Sequence, residues 1–290
     1  MKQPKFYRPS NLQELWNVLD QYGEEACLMG GGTDVLVHLH EGDIAPRALV
    51  DVKGIESFHE LDADDASVRI GAAVTFNEIK YDPNLQRVLP ALSCAAGKVG
   101  APPIQRKGTL VGNILTASPA GDGFVVAYGL DAQLTLLDKN GQKSVDIKDF
   151  ILGPGKTDIH KDEIISGVTF SNHSKWQQQS FFKVGRRNSL AISVANGVVA
   201  LAMNENGTVN DARICVGAVG PTPMRVCRAE ELMKTQALSE ELIESVGAIV
   251  SEEVKPITDL RASKDFRRHI VGVYVKRILN GFMKEQRHGH

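Results

Sequence analysis

The sequence predicts an α+β protein of two domains, and three observations carry that expectation. Helical and strand-like apolar spacings are interleaved up to about residue 170. Polarity then rises across Ser171–Ser180 (SNHSKWQQQS). Beyond that stretch, two strand-like runs are followed by helices, the order expected of helices packed on an antiparallel sheet. The boundary is placed at residue 177, giving domains 1–177 and 178–290. With 290 residues, 42% of them apolar and 23% charged, the chain can bury a large core without staples.

Ser10–Gln13 reads as a capping box, followed by Leu12, Leu15, Trp16 and Leu19 at helical spacing. Gly23 should end that helix, because glycine tolerates the left-handed conformation. A short apolar strand, Ala26–Met29, runs into Gly30-Gly31-Gly32-Thr33-Asp34, and Val35–His40 should be a short helix. Ala48–Val52 and Val68–Ala73 read as strands. Thr75 and Glu78 form a second capping box, and one helix is expected over Asn84–Val99, where Leu85, Val88, Leu89, Leu92 and Ala96 share a face. Gly100–Gly123, with Pro102-Pro103 and several glycines, should be an irregular loop, and ordered loops of that length are commonly functional. Ala132–Leu137 and Lys143–Ile147 flank Lys139-Asn140-Gly141, a hairpin signal. Past the boundary, Ile192–Met203 and Ala212–Val219 read as strands joined by a turn at Asn204–Gly207. Leu242, Ile243, Val246, Ile249 and Val250 mark one helix face. Phe266, Ile270, Tyr274 and Ile278 mark another.

Composition removes several function classes. The formal net charge of −2 recommends neither nucleic acid nor an anionic membrane as partner. No run of 18 apolar residues exists to span a bilayer, and the N-terminus MKQPKFYRPS lacks the apolar core of a secretory signal. Cys27, Cys94, Cys215 and Cys227 contain no Cys-x-x-Cys pair, so neither a zinc knuckle nor an iron–sulfur cluster on this chain is expected. Reduced thiols and a cytoplasmic location follow as the expectation.

Three segments could carry chemistry. In Gly30–Asp34 the glycines let backbone N–H groups approach an anion, the next helix adds a positive end, and Thr33 could donate to a phosphate oxygen. The motif is neither a Walker A loop nor a GxGxxG fingerprint. A glycine-rich turn with Thr33 or Asp34 capping the helix accounts for it equally well. Gly108–Ile114 with Thr116, Ser118, Pro119 and Asp122 offers hydroxyls, an amide and glycines, a surface suited to a diphosphate and a ribityl chain. A self-capped loop ahead of a helix near Gly123 is the alternative. In Phe181–Arg187, Lys183 could face a ligand or solvent.

Taken in order, these segments resemble the FAD-binding medium subunit of the molybdenum hydroxylases, the xanthine dehydrogenase family. Gly30–Asp34 is similar to its "GGTD" motif. Gly108–Asp122 is similar to its second motif, and Phe182-Lys183-Val184 with Arg186-Arg187 to its lysine-bearing strand. Cys215–Arg225 and Arg261–Arg268 resemble its C-terminal signatures. The resemblance implies a two-subdomain FAD-binding domain of the PCMH type, then a smaller α+β domain of the carbon monoxide dehydrogenase flavoprotein type. It implies non-covalent FAD held by Leu28, Met29, Gly30, Gly31, Gly32, Thr33, Asp34 and Val35. Thr109, Gly112, Asn113, Ile114, Thr116, Ser118 and Asp122 would line the same cofactor, Ile164 and Ile165 would pack near its rings, and Lys183 would lie near the isoalloxazine. No residue of this chain would be catalytic and none would bind a metal.

Departures from the family pattern are Val111-Gly112 where two glycines are usual, Ile104-Gln105-Arg106 where Ile-Arg-Asn is common, and no cluster-bearing cysteine insertion. No histidine lies within the GGGTD loop, so covalent flavin attachment is not expected there. The resemblance also implies partners: a molybdopterin-binding large subunit and a small subunit with two [2Fe–2S] clusters, assembled as a dimer of heterotrimers, with NAD⁺ as acceptor. Xanthine or hypoxanthine is the expected substrate of the complex. A nicotinate-type, other N-heterocycle or aldehyde hydroxylase is the alternative within the family, and an autonomous FAD-dependent oxidase or a flavin-free interaction module lies outside it.

Overall fold

The computed structural model describes residues 3–171, 173–187 and 190–288. Strand β1 (Lys5–Tyr7) leads into helix α1 (Leu12–Tyr22). The expected capping box moves by one residue. Asn11 is the N-cap, its side chain accepting the Glu14 N–H at 2.9 Å, while Ser10 turns back to donate to the Glu14 carboxylate. The helix stops at Gly23, where φ is +51°. Strand β2 (Ala26–Met29), helix α2 (Val35–Glu41) and strand β3 (Ala48–Asp51) follow, and β1-β3-β2 form a small parallel sheet.

Strands β4 (Leu61–Ala63) and β5 (Ser67–Gly71) precede helix α3 (Phe76–Tyr81), whose capping box of Thr75 and Glu78 is intact. The single helix expected over Asn84–Val99 is two, α4 (Pro83–Val88) and α5 (Pro90–Ala96). Pro90 has no N–H to donate and its ring excludes a preceding helical turn, so the chain breaks at Leu89 and restarts with proline in the first turn. The loop expected over Gly100–Gly123 is also corrected. It contains helices α6 (Pro102–Gln105) and α7 (Leu110–Leu115) and the start of α8 (Asp122–Gly129), pieces too short for apolar periodicity to register.

Strands β6 (Gln133–Leu137) and β7 (Gln142–Asp146) form the expected hairpin. Helix α9 (Ile147–Phe150) and strands β8 (Ile151–Gly153), β9 (Lys156–Thr157) and β10 (Ile164–Ser171) complete this part. The resulting sheet is antiparallel in the order β4-β5-β10-β6-β7. Helix α8 is buried on every side, and a Cβ on Gly129 would lie 2.6 Å from both Cys215 and Val198. That close approach seats α8 against the next sheet.

That sheet is β11 (Gln178–Val184), β12 (Ala195–Met203), β13 (Val209–Gly217) and β14 (Met224–Arg225), antiparallel in sequence order. Helices α10 (Cys227–Met233), α11 (Glu240–Glu253) and α12 (Lys264–His288) cover it. The face expected of α12 is shifted by one residue. Val271, Val275 and Leu279 are fully buried in the core that also holds Val246 and Val250 of α11, while Ile270, Tyr274 and Ile278 are partly buried beside it and Phe266 is exposed. No helix among the described residues is long and apolar enough to cross a membrane.

Candidate functional site

A cavity of about 960 Å³ opens where the Gly30–Asp34 loop, helix α7, the start of α8 and the head of β10 meet Lys183, residues 190–193, 218–221 and 255–267. Every candidate residue from the sequence lines it except Ile114. Helix α7 explains the exception. Gly112, Asn113 and Thr116 face the cavity, whereas Leu110 and Ile114, four residues apart, share the opposite face and are fully buried in the core.

The glycine loop is shaped by contacts within the chain. A Cβ on Gly31 would lie 1.8 Å from the Lys107 carbonyl oxygen, so the close backbone approach at that position is to the segment before α7. Gly32 has φ +70°, a conformation that side chains resist. Lys53, which no sequence pattern marked, donates to the Gly30 carbonyl and to Asp51 Oδ1 and ties the loop to β3. The N–H groups of Gly31, Gly32, Thr33 and Asp34 have no acceptor among the described residues. Asp34 occupies the N-cap position of α2 without a side-chain cap bond, so it is not the capping residue considered from sequence. Its carboxylate instead accepts from the Thr116 hydroxyl at 3.2 Å and lies 3.7 Å from His38 Nε2. His38 also pairs with Asp43 at 2.9 Å, and that hydrogen bond, with the Asp34 charge, raises its pKa above the usual imidazole value.

Across the cavity, the Thr109 hydroxyl oxygen N-caps α7, accepting the Gly112 N–H at 3.0 Å. Asn113 Oδ1 accepts the Phe124 N–H at 2.9 Å and so caps α8 from a neighbouring helix. Its Nδ2 has no partner among the described residues and is available to a ligand. Lys183 is not a free cation. Its Nζ lies 2.5 Å from Asp122 Oδ2 and 2.8 Å from the Lys98 carbonyl.

The C-terminal wall was largely missed by sequence reasoning. Arg267, almost wholly buried, donates to the Val194 and Ala218 carbonyls and to Asp259 Oδ1 at 2.6 Å. Partial desolvation pushes the Asp259 carboxyl up, and the bonds from Arg267 and from the Arg261 and Ala262 N–H groups outweigh it, holding the carboxyl well below the usual range. The sequence signals on this wall were Lys183 and the Cys215–Arg225 and Arg261–Arg268 stretches, none of which pointed to the pairing of buried Arg267 with Asp259.

Chemically, the cavity offers unspent backbone and amide donors at one part and the apolar walls of Val52, Ile159, Ile164 and Ile165 elsewhere. No histidine, tyrosine, cysteine or glutamate among the described residues lines it. Such a lining suits a large, partly anionic ligand with flat apolar parts.

Residues 2–171 match the model of the FAD binding domain in molybdopterin dehydrogenase, and residues 180–282 that of the CO dehydrogenase flavoprotein C-terminal domain. The chain belongs to the FAD subunits of the molybdenum hydroxylases. Within that family it is 32% identical over 277 residues to a xanthine dehydrogenase FAD-binding subunit of Escherichia coli, covering 95% of this chain and 94% of that one. It is 30% identical over 281 residues to the nicotinate dehydrogenase FAD-subunit of Eubacterium barkeri, covering 95% of each. A carbon monoxide dehydrogenase structure from Hydrogenophaga pseudoflava superposes with TM-score 0.89 at 26% identity, over 96% of both chains. The expected two-part flavoprotein architecture is therefore the one present, and the chain is an oxidoreductase subunit. The residues fit FAD: the unspent N–H groups of the glycine loop suit a diphosphate, the Asn113 amide adds a donor, and the isoleucine walls suit flat rings.

Proposed function

We propose that this subunit carries the FAD that links [2Fe–2S] clusters of a small partner subunit to NAD⁺, in a complex whose large subunit hydroxylates xanthine or hypoxanthine at a molybdopterin centre. Residues 1–177 form the flavin-holding part and residues 178–290 the part that closes over it, in a cytoplasmic dimer of heterotrimers. The observation that carries this reading is the convergence of the glycine loop, the α7–α8 segment and Lys183 on one cavity.

When bound, FAD supplies the redox chemistry. The protein binds and orients it. Gly31 to Asp34 direct N–H groups at the diphosphate, Asn113 donates through Nδ2, and Ile164 and Ile165 exclude water from the rings. Lys183 places a positive charge by the isoalloxazine, where it favours the reduced, more negative ring. A second reading, a nicotinate-type hydroxylase, is favoured by the near-equal identity to the nicotinate dehydrogenase subunit.

The test is native purification through this chain, with assays for FAD, molybdenum, iron, co-purifying subunits and substrate-dependent NADH formation. The expected result is a three-subunit complex that forms NADH with xanthine. NADH formation with nicotinate instead selects the second reading. A lone chain that oxidises purines, or one without flavin, overturns both. Lys183→Ala should keep FAD and lower its potential or slow NADH formation.

A further inference from the structure

Asp122 and Lys183 form a nearly buried ion pair, with side chains 5% and 11% exposed. Such a pair holds its geometry only when the remaining lone pairs are satisfied. The second oxygen of Asp122 accepts from the Ser193 hydroxyl at 2.6 Å and from Asn196 Nδ2 at 2.8 Å. Both donors are almost completely inaccessible, at 1% and 0% exposure. Asn196 is fixed in turn. Its Nδ2 also reaches the Ala120 carbonyl at 3.3 Å, and a Cβ on Gly217 would lie 2.3 Å from its Oδ1, so only glycine leaves room for the amide.

Resting on the reading that this cavity holds FAD, we propose that Ser193 and Asn196 are positioning residues that set the charge Lys183 presents to the flavin by acting through Asp122. Two charge-assisted hydrogen bonds draw the negative charge of Asp122 toward Oδ1, away from the oxygen that faces the ammonium. Less of the Lys183 charge is then cancelled. Losing either donor leaves Asp122 more fully negative beside the ammonium, and reduction of the flavin, which adds negative charge to the cavity, becomes less favourable.

The experiment is redox titration of the flavin in the full chain, purified natively with the subunits that accompany it. With FAD bound, Ser193→Ala should shift the flavin potential downward, and Ser193→Thr, which keeps the hydroxyl, should restore it. Asp122→Asn should shift the potential upward by uncovering Lys183. In the Asp122→Asn background Ser193→Ala should add no further shift, the signature of a residue that acts through Asp122. An unchanged potential in Ser193→Ala, or the same shift in both backgrounds, overturns the proposal. If Ser193→Ala loses FAD, Asn196→Ala reads the same oxygen, and loss of FAD from both variants assigns them a structural role and overturns it too. Absence of FAD from the wild-type protein would instead refute the cofactor reading itself.

Discussion

Gly31→Ala tests how the proposed cofactor cradle is held. The new Cβ would sit 1.8 Å from the Lys107 oxygen, 2.3 Å from its carbonyl carbon and 2.7 Å from the Gly108 nitrogen, all backbone atoms. Restoring an ordinary 3.4 Å contact requires the two segments to separate by about 1.6 Å. Neither is free to move: Lys53 ties the Gly30 carbonyl to β3, and the Gly108 carbonyl accepts from the Phe76 N–H at 2.9 Å. Overpacking of this kind costs about 1–3 kcal/mol. That strain is present with or without FAD, so it is read in stability, as roughly a 5- to 150-fold change in the folding equilibrium, and affinity falls only as far as the displaced N–H groups lose their aim. The discriminating assay pairs thermal unfolding of the FAD-free chain with FAD titration. Because the clash is internal to the protein, the FAD-free melting temperature should fall along with affinity. Gly112→Ala, whose Cβ would meet only the Thr109 hydroxyl at 3.1 Å, should be much milder. Wild-type stability and affinity in Gly31→Ala would refute the packing argument. Loss of affinity alone would mean that the glycine serves the ligand directly.

Asn113→Ala should uncap α8, costing about 1 kcal/mol, and lower FAD occupancy, whereas Asn113→Asp should retain the cap; melting curves and flavin-to-protein ratios separate the two effects. Ile114→Ala should destabilise the FAD-free chain by about 2–5 kcal/mol without weakening FAD binding in proportion, because the side chain faces the core, and denaturant titration gives the difference. The raised pKa of His38 means that its contribution to stability is fully present below the unfolded value of 6.5 and is lost as pH rises through the folded value. His38→Gln should therefore flatten the decline in melting temperature over that window; an unchanged profile would show that its pairing with Asp43 and Asp34 does not contribute.

Much of the fold was legible wherever one residue type does one local job. Gly23 ends α1, Thr75 and Glu78 open α3, and Lys139–Gly141 turns the hairpin. Failures came where burial removes the pattern. Helix α8 is enclosed on every side and has no apolar stripe, and most of Ile164–Ser171 is buried on both faces and does not alternate. Pro90 was in plain view, but the apolar spacing continued across it. At the site, the glycine loop and the Asn113 segment carry recognisable local composition. The Ser193–Asp122 bond spans 71 residues, and no local pattern signals it. Arg267 was marked only by the resemblance of Arg261–Arg268 to a family signature, and no local pattern there signals that its guanidinium holds two loops and Asp259 together.

The place of β10 has a consequence for how the chain matures during synthesis. It is the last strand of its sheet to be made, yet it lies between β5 and β6. Until Ile164–Ser171 leaves the ribosome, the nascent chain carries two separate hairpins, β4-β5 and β6-β7, each with an open edge where β10 will insert. Two of the cavity's apolar residues, Ile164 and Ile165, arrive with that strand, and the far wall waits for Arg267. With the cavity as the proposed FAD site, its walls are complete only when almost the whole polypeptide has been translated, and a fragment ending before Ile164 would carry open strand edges and no finished cavity.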